Sequence, residues 1–270
     1  MKNVLLNFIQ GKNIADSLDM EIYLSSLSKF KTFDKILFAN YITDAQTAML
    51  SKYYDQIINV PDREYPVVGY KVYHDWLCEY GMHYEYAMHC DMRDVIIQKD
   101  PFEFMRNMPE KDLFLCAEGM KISESECNRI WHDWFLTTVS FNKHKYDDSE
   151  VLNGGTYGGK LSSVLLFTQM VLIGMNRLTM RPAVMPDQAV LGFLERQLKI
   201  NPRVNICHPY RDTFACTGEA IKYDDIEVFY DGKLVTNKDG EPYCIFHQWD
   251  RTEICNTVRE KAANTLHFSL

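Results

Sequence analysis

Through its first hundred residues the chain alternates short apolar runs with segments of helical period. Val4-Leu5-Leu6-Asn7-Phe8-Ile9, Lys35-Ile36-Leu37-Phe38-Ala39 and Gln56-Ile57-Ile58-Asn59-Val60 read as strands, the first ending at Gln10-Gly11 and the third stopped by Pro61. Between them, Leu18, Ile22, Leu24, Leu27 and Phe30 recur at helical spacing, and Ala45 to Tyr54 reads as a second helix. Val68 to Tyr80 reads as a third, with Tyr73, Trp76 and Leu77 on one face and Gly81 as its stop. A fourth apolar run, with Tyr84, Tyr86, Ala87 and Met88, follows at once. Parallel strands need crossovers, so this β-α-β-α-β-α-β order predicts an α/β fold with a mostly parallel, helix-flanked sheet.

The second half is less regular. Phe114-Leu115-Cys116-Ala117 predicts a strand leading to Glu118, and Trp131 to Thr138 is an aromatic stretch. Leu161 to Met175 and Asp187 to Gln197 predict amphipathic helices. After Pro202 come shorter strands. Ile226 to Tyr230 and Lys233 to Val235 flank Asp231-Gly232, a hairpin signal. Tyr243-Cys244-Ile245-Phe246 predicts a last strand before His247, and Glu253 to Leu270 a weak helix or irregular end. With no repeat, low-complexity stretch or linker, the expectation is one domain, a nucleotide-binding half over 1–105 and an acceptor-side half over 106–270.

Composition narrows the function. The 270 residues are 46% hydrophobic and 13% aromatic, which indicates a packed globular chain. A net charge of −8 gives no support for a nucleic-acid partner, where a basic face would be expected. The eight cysteines show no CxxC pair or zinc-like spacing and are expected to be reduced. Met1 to Gln10 is too short and too quickly polar for a signal peptide. No stretch approaches ~18 apolar residues. No membrane span and a cytoplasmic enzyme are therefore expected.

The chemistry concentrates at His89-Cys90-Asp91-Met92-Arg93-Asp94, where an apolar strand ends in two carboxylates flanking an arginine, followed by Val95-Ile96-Ile97-Gln98-Lys99-Asp100. Acids delivered to the carboxyl end of a buried strand make a ligand site in open α/β sheets. They stay ionised there only with a cation or hydrogen-bonding partner, and a hard divalent metal carrying a phosphate is one such partner. Asn153-Gly154-Gly155-Thr156-Tyr157-Gly158-Gly159 is the second feature, where glycines allow close backbone approach and positive φ. Read plainly, it is a glycine-rich turn or bulge. The helix from about Leu161 could offer its N-terminus to a polar group. Asp187-Gln188 follows Pro186, where Asp187 reads as an N-cap, and His247-Gln248-Trp249-Asp250-Arg251 follows the last strand.

Together these segments resemble GT-A glycosyltransferases, whose Asp-x-Asp motif closes a nucleotide-binding sheet and is followed by a hydrophobic strand and often Gln-x-Asp. The motif here departs from that pattern. Asp94 matches the last, metal-binding acid, Met92 falls at the first, and Asp91 sits one residue earlier. The resemblance implies Asp94, Asp91 and His247 as metal ligands, with Mn²⁺ preferred to Mg²⁺ because an imidazole joins the carboxylates. It implies Asp91, Arg93, Asn153, Gly154, Gly155, Lys71 and Arg251 as donor contacts. Asp187 is then the first candidate for the base that deprotonates an acceptor hydroxyl, and Glu118 the second. Trp131, Trp134 and Phe135 could stack on an acceptor sugar.

The chain also resembles the soluble glycosyltransferases that large algal DNA viruses encode for capsid glycans, which suggests a UDP-sugar donor, with UDP-xylose among the candidates. Two alternatives stand beside this reading. A sugar-1-phosphate nucleotidyltransferase would need a glycine-rich basic loop after strand one, where this chain has Gln10-Gly11-Lys12-Asn13. A non-catalytic nucleotide- or carbohydrate-binding protein would need only the fold.

Overall fold

The computed structural model describes residues 1–11, 18–60, 67–139, 148–176, 185–223, 227–230 and 234–266. In chain order the elements are β1 (Lys2–Gln10), α1 (Leu18–Ser28), β2 (Asp34–Asn40), α2 (Asp44–Leu50), β3 (Gln56–Asn59), α3 (Val67–Tyr80), β4 (Tyr84–Cys90), β5 (Val95–Ile97), α4 (Pro101–Arg106), β6 (Leu113–Lys121) and α5 (Glu126–Thr138). They continue as β7 (Glu150–Lys160), α6 (Leu161–Met175), α7 (Pro186–Lys199), β8 (Val204–Cys207), β9 (Ala215–Thr217), α8 (Gly218–Tyr223), β10 (Phe229–Tyr230), β11 (Val235–Thr236), β12 (Ile245–His247) and α9 (Ile254–Leu266).

The fold is α/β. Seven strands form one sheet in the order β3-β2-β1-β4-β7-β6-β8, parallel except for β7. Side chains alternate across each strand, so β1 sends Val4, Leu6 and Phe8 into a core with α3, α5, α6 and α7. Leu5 and Ile9 enter the opposite core with α1, α2 and α4. A sheet covered on both faces accounts for the continuous apolar runs of β1 and β2.

A small sheet, β5-β12-β9, closes the carboxyl end of the large one. It carries Gln98 and Asp100 just beyond β5, and both act structurally. The Gln98 amide donates to the carbonyls of Val235 and Tyr243 and accepts from the Val235 N–H, clamping the C-terminal segment. Asp100 caps α4 through the Phe102 N–H at 2.8 Å.

Three expectations change. The Asn153–Gly159 stretch is not a turn: it lies inside β7, and none of its glycines has positive φ. Because β7 runs antiparallel, the N-terminus of α6 opens beside Tyr86, at the far end of β4 from the acids, and cannot serve them. Asp187 is not the cap of α7 either. Met185 holds that position, Pro186 opens the helix, and Asp187 sits in its first turn. The predicted hairpin pairs as β10 with β11, while its Asp231-Gly232 turn lies outside the described residues. All eight cysteines are free, six of them buried. Among the described residues no helix is long and apolar enough to cross a membrane.

Candidate functional site

Three pieces of topology bring distant acids and amides together. β4 ends at Cys90, so Asp91 and Asp94 lie on the turn beyond the sheet's carboxyl edge. β7 enters that edge from its N-terminal half, and the Asp91 N–H donates to the Gly155 carbonyl at 2.7 Å. β12 pairs antiparallel with β5, which sets His247 opposite Val95, next to Asp94. A parallel neighbour at the β7 position would have put Asn153 and the two glycines at the opposite end.

The resulting group is compact. His247 Nε2 lies 3.6 Å from Asp91 Oδ2 and 3.8 Å from Asp94 Oδ1. The other ring nitrogen, Nδ1, is 3.1 Å from the Thr156 hydroxyl. When Nδ1–H donates there, the Nε2 lone pair faces two carboxylates, an arrangement that calls for a cation between them. Ligands each about 2.1 Å from one ion stand about 3–4 Å apart, and the two His247–carboxylate distances fall in that range. Among the described residues no group of three or more His, Cys, Asp or Glu side chains is already placed to hold a metal ion. Burial pushes the Asp94 carboxyl above its ordinary range. Nearby His247 pulls it down, and Asp91 and Asp250 push it up.

Gly155 is required by this packing. A Cβ there would overlap the Asp91 carboxylate and reach within 2.6 Å of the His247 ring. Gly155→Ala is therefore expected to displace both groups and, on the metal-site reading of the sequence, to weaken Mn²⁺ binding about 10–100-fold. Calorimetric titration of Mn²⁺ checks this, and a wild-type affinity would remove Gly155 from the site.

Gly154 meets the acid on the other side. A Cβ on it would stand 2.9 Å from Asp187 Oδ2. The Asp187 carboxyl is 4% exposed, and its Oδ1 has no hydrogen-bond partner. Burial, aided by the Asp91 charge and opposed by the Gln188 N–H, pushes it up to about 7. Glu118 is held differently. It lies within β6, and its Oε1 accepts from the amides of Asn153 at 2.8 Å and Gln248 at 3.3 Å. Asn153 in turn accepts from the Gly155 N–H at 3.0 Å. Gln248 has φ 57°, a left-handed conformation costly for a non-glycine residue. Glu118 thus ties the β7 strand to the strained residue beside His247, which leaves Asp187 as the freer acid.

Two clefts meet at the acids. One, about 300 Å³, is lined by Phe8, Ile9, Gln10, Met20, Met92 and Arg93. The other, about 400 Å³, is lined by Glu118, Trp131, Asn153, Asp187 and Gln188 among others. Asp91, Asp94 and Arg251 belong to both walls. Arg93, at φ 70°, is exposed in the first cleft. Arg251 is paired with Glu219 at 3.2 Å. Of the three aromatic candidates, Trp131 faces the second cleft, while Phe135 is buried in the core and Trp134 packs against it. Lys71 is not brought to the site. It lines neither cleft and pairs on the surface with Asp75, one helical turn on.

Sequence reasoning missed three groups. His89 is buried between Tyr73 and Tyr157, with Nε2 3.5 Å from Asp91 Oδ1 and Nδ1 3.1 Å from the Leu6 carbonyl. Thr156 orients His247. Asn40 ends β2 beside Gln10, buried, with neither amide atom hydrogen-bonded. His89 alone had a signal, its place near the end of β4, two residues before Asp91. The sequence matches no protein-family model and no curated protein.

Proposed function

We propose that the chain is a metal-dependent glycosyltransferase of GT-A type, moving a sugar from a nucleoside diphosphate to a hydroxyl of a glycan acceptor. The observation that carries this reading is the shared wall: Asp91 and Asp94, with His247 within 3.8 Å of both, stand where two clefts meet. A donor has two ends of different chemistry joined by a diphosphate, and such a wall suits its middle. The mostly parallel sheet with acids at its carboxyl edge supports the GT-A assignment.

In this reading the nucleoside occupies the cleft of Phe8, Gln10 and Arg93. Gln10 offers an amide donor and acceptor from the wall of that cleft to the edge of a base. The sugar and acceptor occupy the cleft of Asn153, Gly154, Asp187 and Trp131, whose indole suits the apolar face of a sugar ring. Asp91, Asp94 and His247 would hold Mn²⁺ or Mg²⁺, which when bound offsets charge on the departing diphosphate. Asp187 takes the proton of the acceptor hydroxyl as its oxygen bonds to the anomeric carbon. The bond from that carbon to the diphosphate breaks, and the diphosphate leaves with the electron pair. Arg251, on the wall shared by both clefts beside Asp91 and Asp94, would add positive charge there.

A second reading has its own observation. Met92 occupies the position of an expected acid and is turned inward, 7% exposed, so a binding protein without transfer activity is the rival. A thermal-shift screen of nucleotide-sugars, UDP-xylose among them, tests the shared part of both. A selective donor at 100 times its Kd adds about 2.7 kcal/mol of stability, and the account predicts that this shift requires Mn²⁺. A screen in which no nucleotide-sugar raises the melting temperature would remove the transferase reading and leave, of the rival, only a carbohydrate-binding protein.

A further inference from the structure

Beneath the acid turn lies a polar knot that this chemistry does not use. Asn7, in the middle of β1, is completely buried on a face otherwise supplied by Leu5, Ile9, Leu24, Leu37 and Met88. Its Nδ2 donates to the Cys90 carbonyl at 2.7 Å and lies 3.5 Å from Cys90 Sγ. Its Oδ1 accepts two hydroxyls, Tyr23 from α1 at 2.9 Å and Tyr54 from beyond α2 at 3.1 Å. The Tyr54 hydroxyl is also 3.7 Å from Met92 Sδ. One amide therefore joins β1, α1 and the segment after α2 to Cys90 and Met92, the two residues that flank Asp91.

For packing alone a leucine would serve at position 7, since a buried amide is costly unless every bond is made. The acid turn, by contrast, needs holding. Arg93 is left-handed at φ 70°, and two carboxylates face each other across His247. Left to itself, such a turn would relax by swinging one acid outward.

We propose that Asn7 is a positioning residue for the acid turn, gripping Cys90 directly and Met92 through Tyr54 so that Asp91 and Asp94 face His247. This rests on the metal reading above. It also gives the departure from Asp-x-Asp a role. Met92, standing in place of an acid, is an anchor in the core, and Asp91 takes the outward position beside it.

The test measures Mn²⁺ affinity of the full chain, with a thermal melt and circular dichroism on the same samples. Groups that orient metal ligands are worth about 10–100-fold in affinity, so Asn7→Ala is expected to lose that much while remaining folded at the assay temperature. Tyr54→Phe and Tyr23→Phe each delete one buried hydroxyl bonded to Asn7; Tyr23 lies 3.9 Å from Cys90 Sγ, at the end of β4, which Asn7 holds directly through the Cys90 carbonyl, and only Tyr54 reaches Met92, inside the turn. Their melting temperatures should fall by similar amounts, with Mn²⁺ affinity falling several-fold more in Tyr54→Phe. A purely structural knot would lower both melts and leave Mn²⁺ binding untouched.

Folded Asn7→Ala with wild-type Mn²⁺ affinity overturns the proposal. If Asn7→Ala does not fold, unchanged affinity in Tyr54→Phe overturns it instead. Wild-type protein that binds no Mn²⁺ overturns the metal reading and this proposal with it, whereas wild type that binds, beside variants that bind equally well, overturns this proposal alone.

Discussion

Asp187→Asn should lower glycosyl transfer by about 10²–10⁴-fold, the loss expected for a general base, while donor binding stays near that of wild type. The substitution keeps the size of a side chain that lines the cleft of Asn153 and Trp131. The same change should make the metal-free protein more stable. An acid whose folded pKa lies near 7, above its unfolded value near 3.8, favours the protonated folded state. The penalty is absent below the unfolded value, grows as pH rises toward 7, and is constant above. Asparagine carries no such penalty. At one pKa unit per 1.36 kcal/mol, the variant should gain of order 2–4 kcal/mol over wild type at pH 8, less a few tenths for losing a negative charge at a helix N-terminus. The gain should vanish near pH 4. Urea melts at the two pH values check this, together with transfer rates. A variant that transfers normally would leave Asp187 structural, and would point to Glu118 or to retention of configuration.

Asp94→Asn should abolish metal-dependent donor binding, by about 10²-fold or more, and leave the fold intact. Asp94 is the buried acid of the pair, and amide oxygen is a far weaker partner for a hard cation than carboxylate. Desolvation already disfavours its charge in the absence of metal, so neutralising it relieves the apo protein rather than straining it. Donor titration with and without Mn²⁺ separates the outcomes. The same affinity and the same metal dependence as wild type would move the metal site elsewhere.

The first four strands were legible in the chain, each carried by a local pattern, an apolar run closed by a breaker. Asp94 and His247 were brought together only through the resemblance, and the structure sets them 3.8 Å apart. β7 was not legible as a strand, because its glycines carry no hydrophobic signal. Gly154 and Gly155 leave room for Asp187, Asp91 and His247, and Gly158 and Gly159 for Met105 and the Asp112 backbone, all contacts with residues distant in sequence. The misreading of Asp187 as a cap and of α6 as a ligand site followed from the same gap, since both depend on strand direction and helix start rather than composition. Lys71 had only its place before the acid strand in its favour, and helix rotation turned it to solvent. Asn7 was hidden for the opposite reason. A single polar residue in an apolar run reads as a tolerated exception until its partners on α1 and beyond α2 are known.

The central claim is that Asp91, Asp94 and His247 support metal-dependent chemistry on a nucleotide-sugar. The most direct measurement is release of nucleoside diphosphate from a panel of nucleotide-sugars, with Mn²⁺, with EDTA, and with Asp94→Asn in parallel. The account predicts release from a selective donor with Mn²⁺, raised by a glycan acceptor and lost with EDTA and in the variant. Donor binding without release under any condition would contradict it and leave a binding protein. Release that persists equally in EDTA and in Asp94→Asn would contradict the metal site itself.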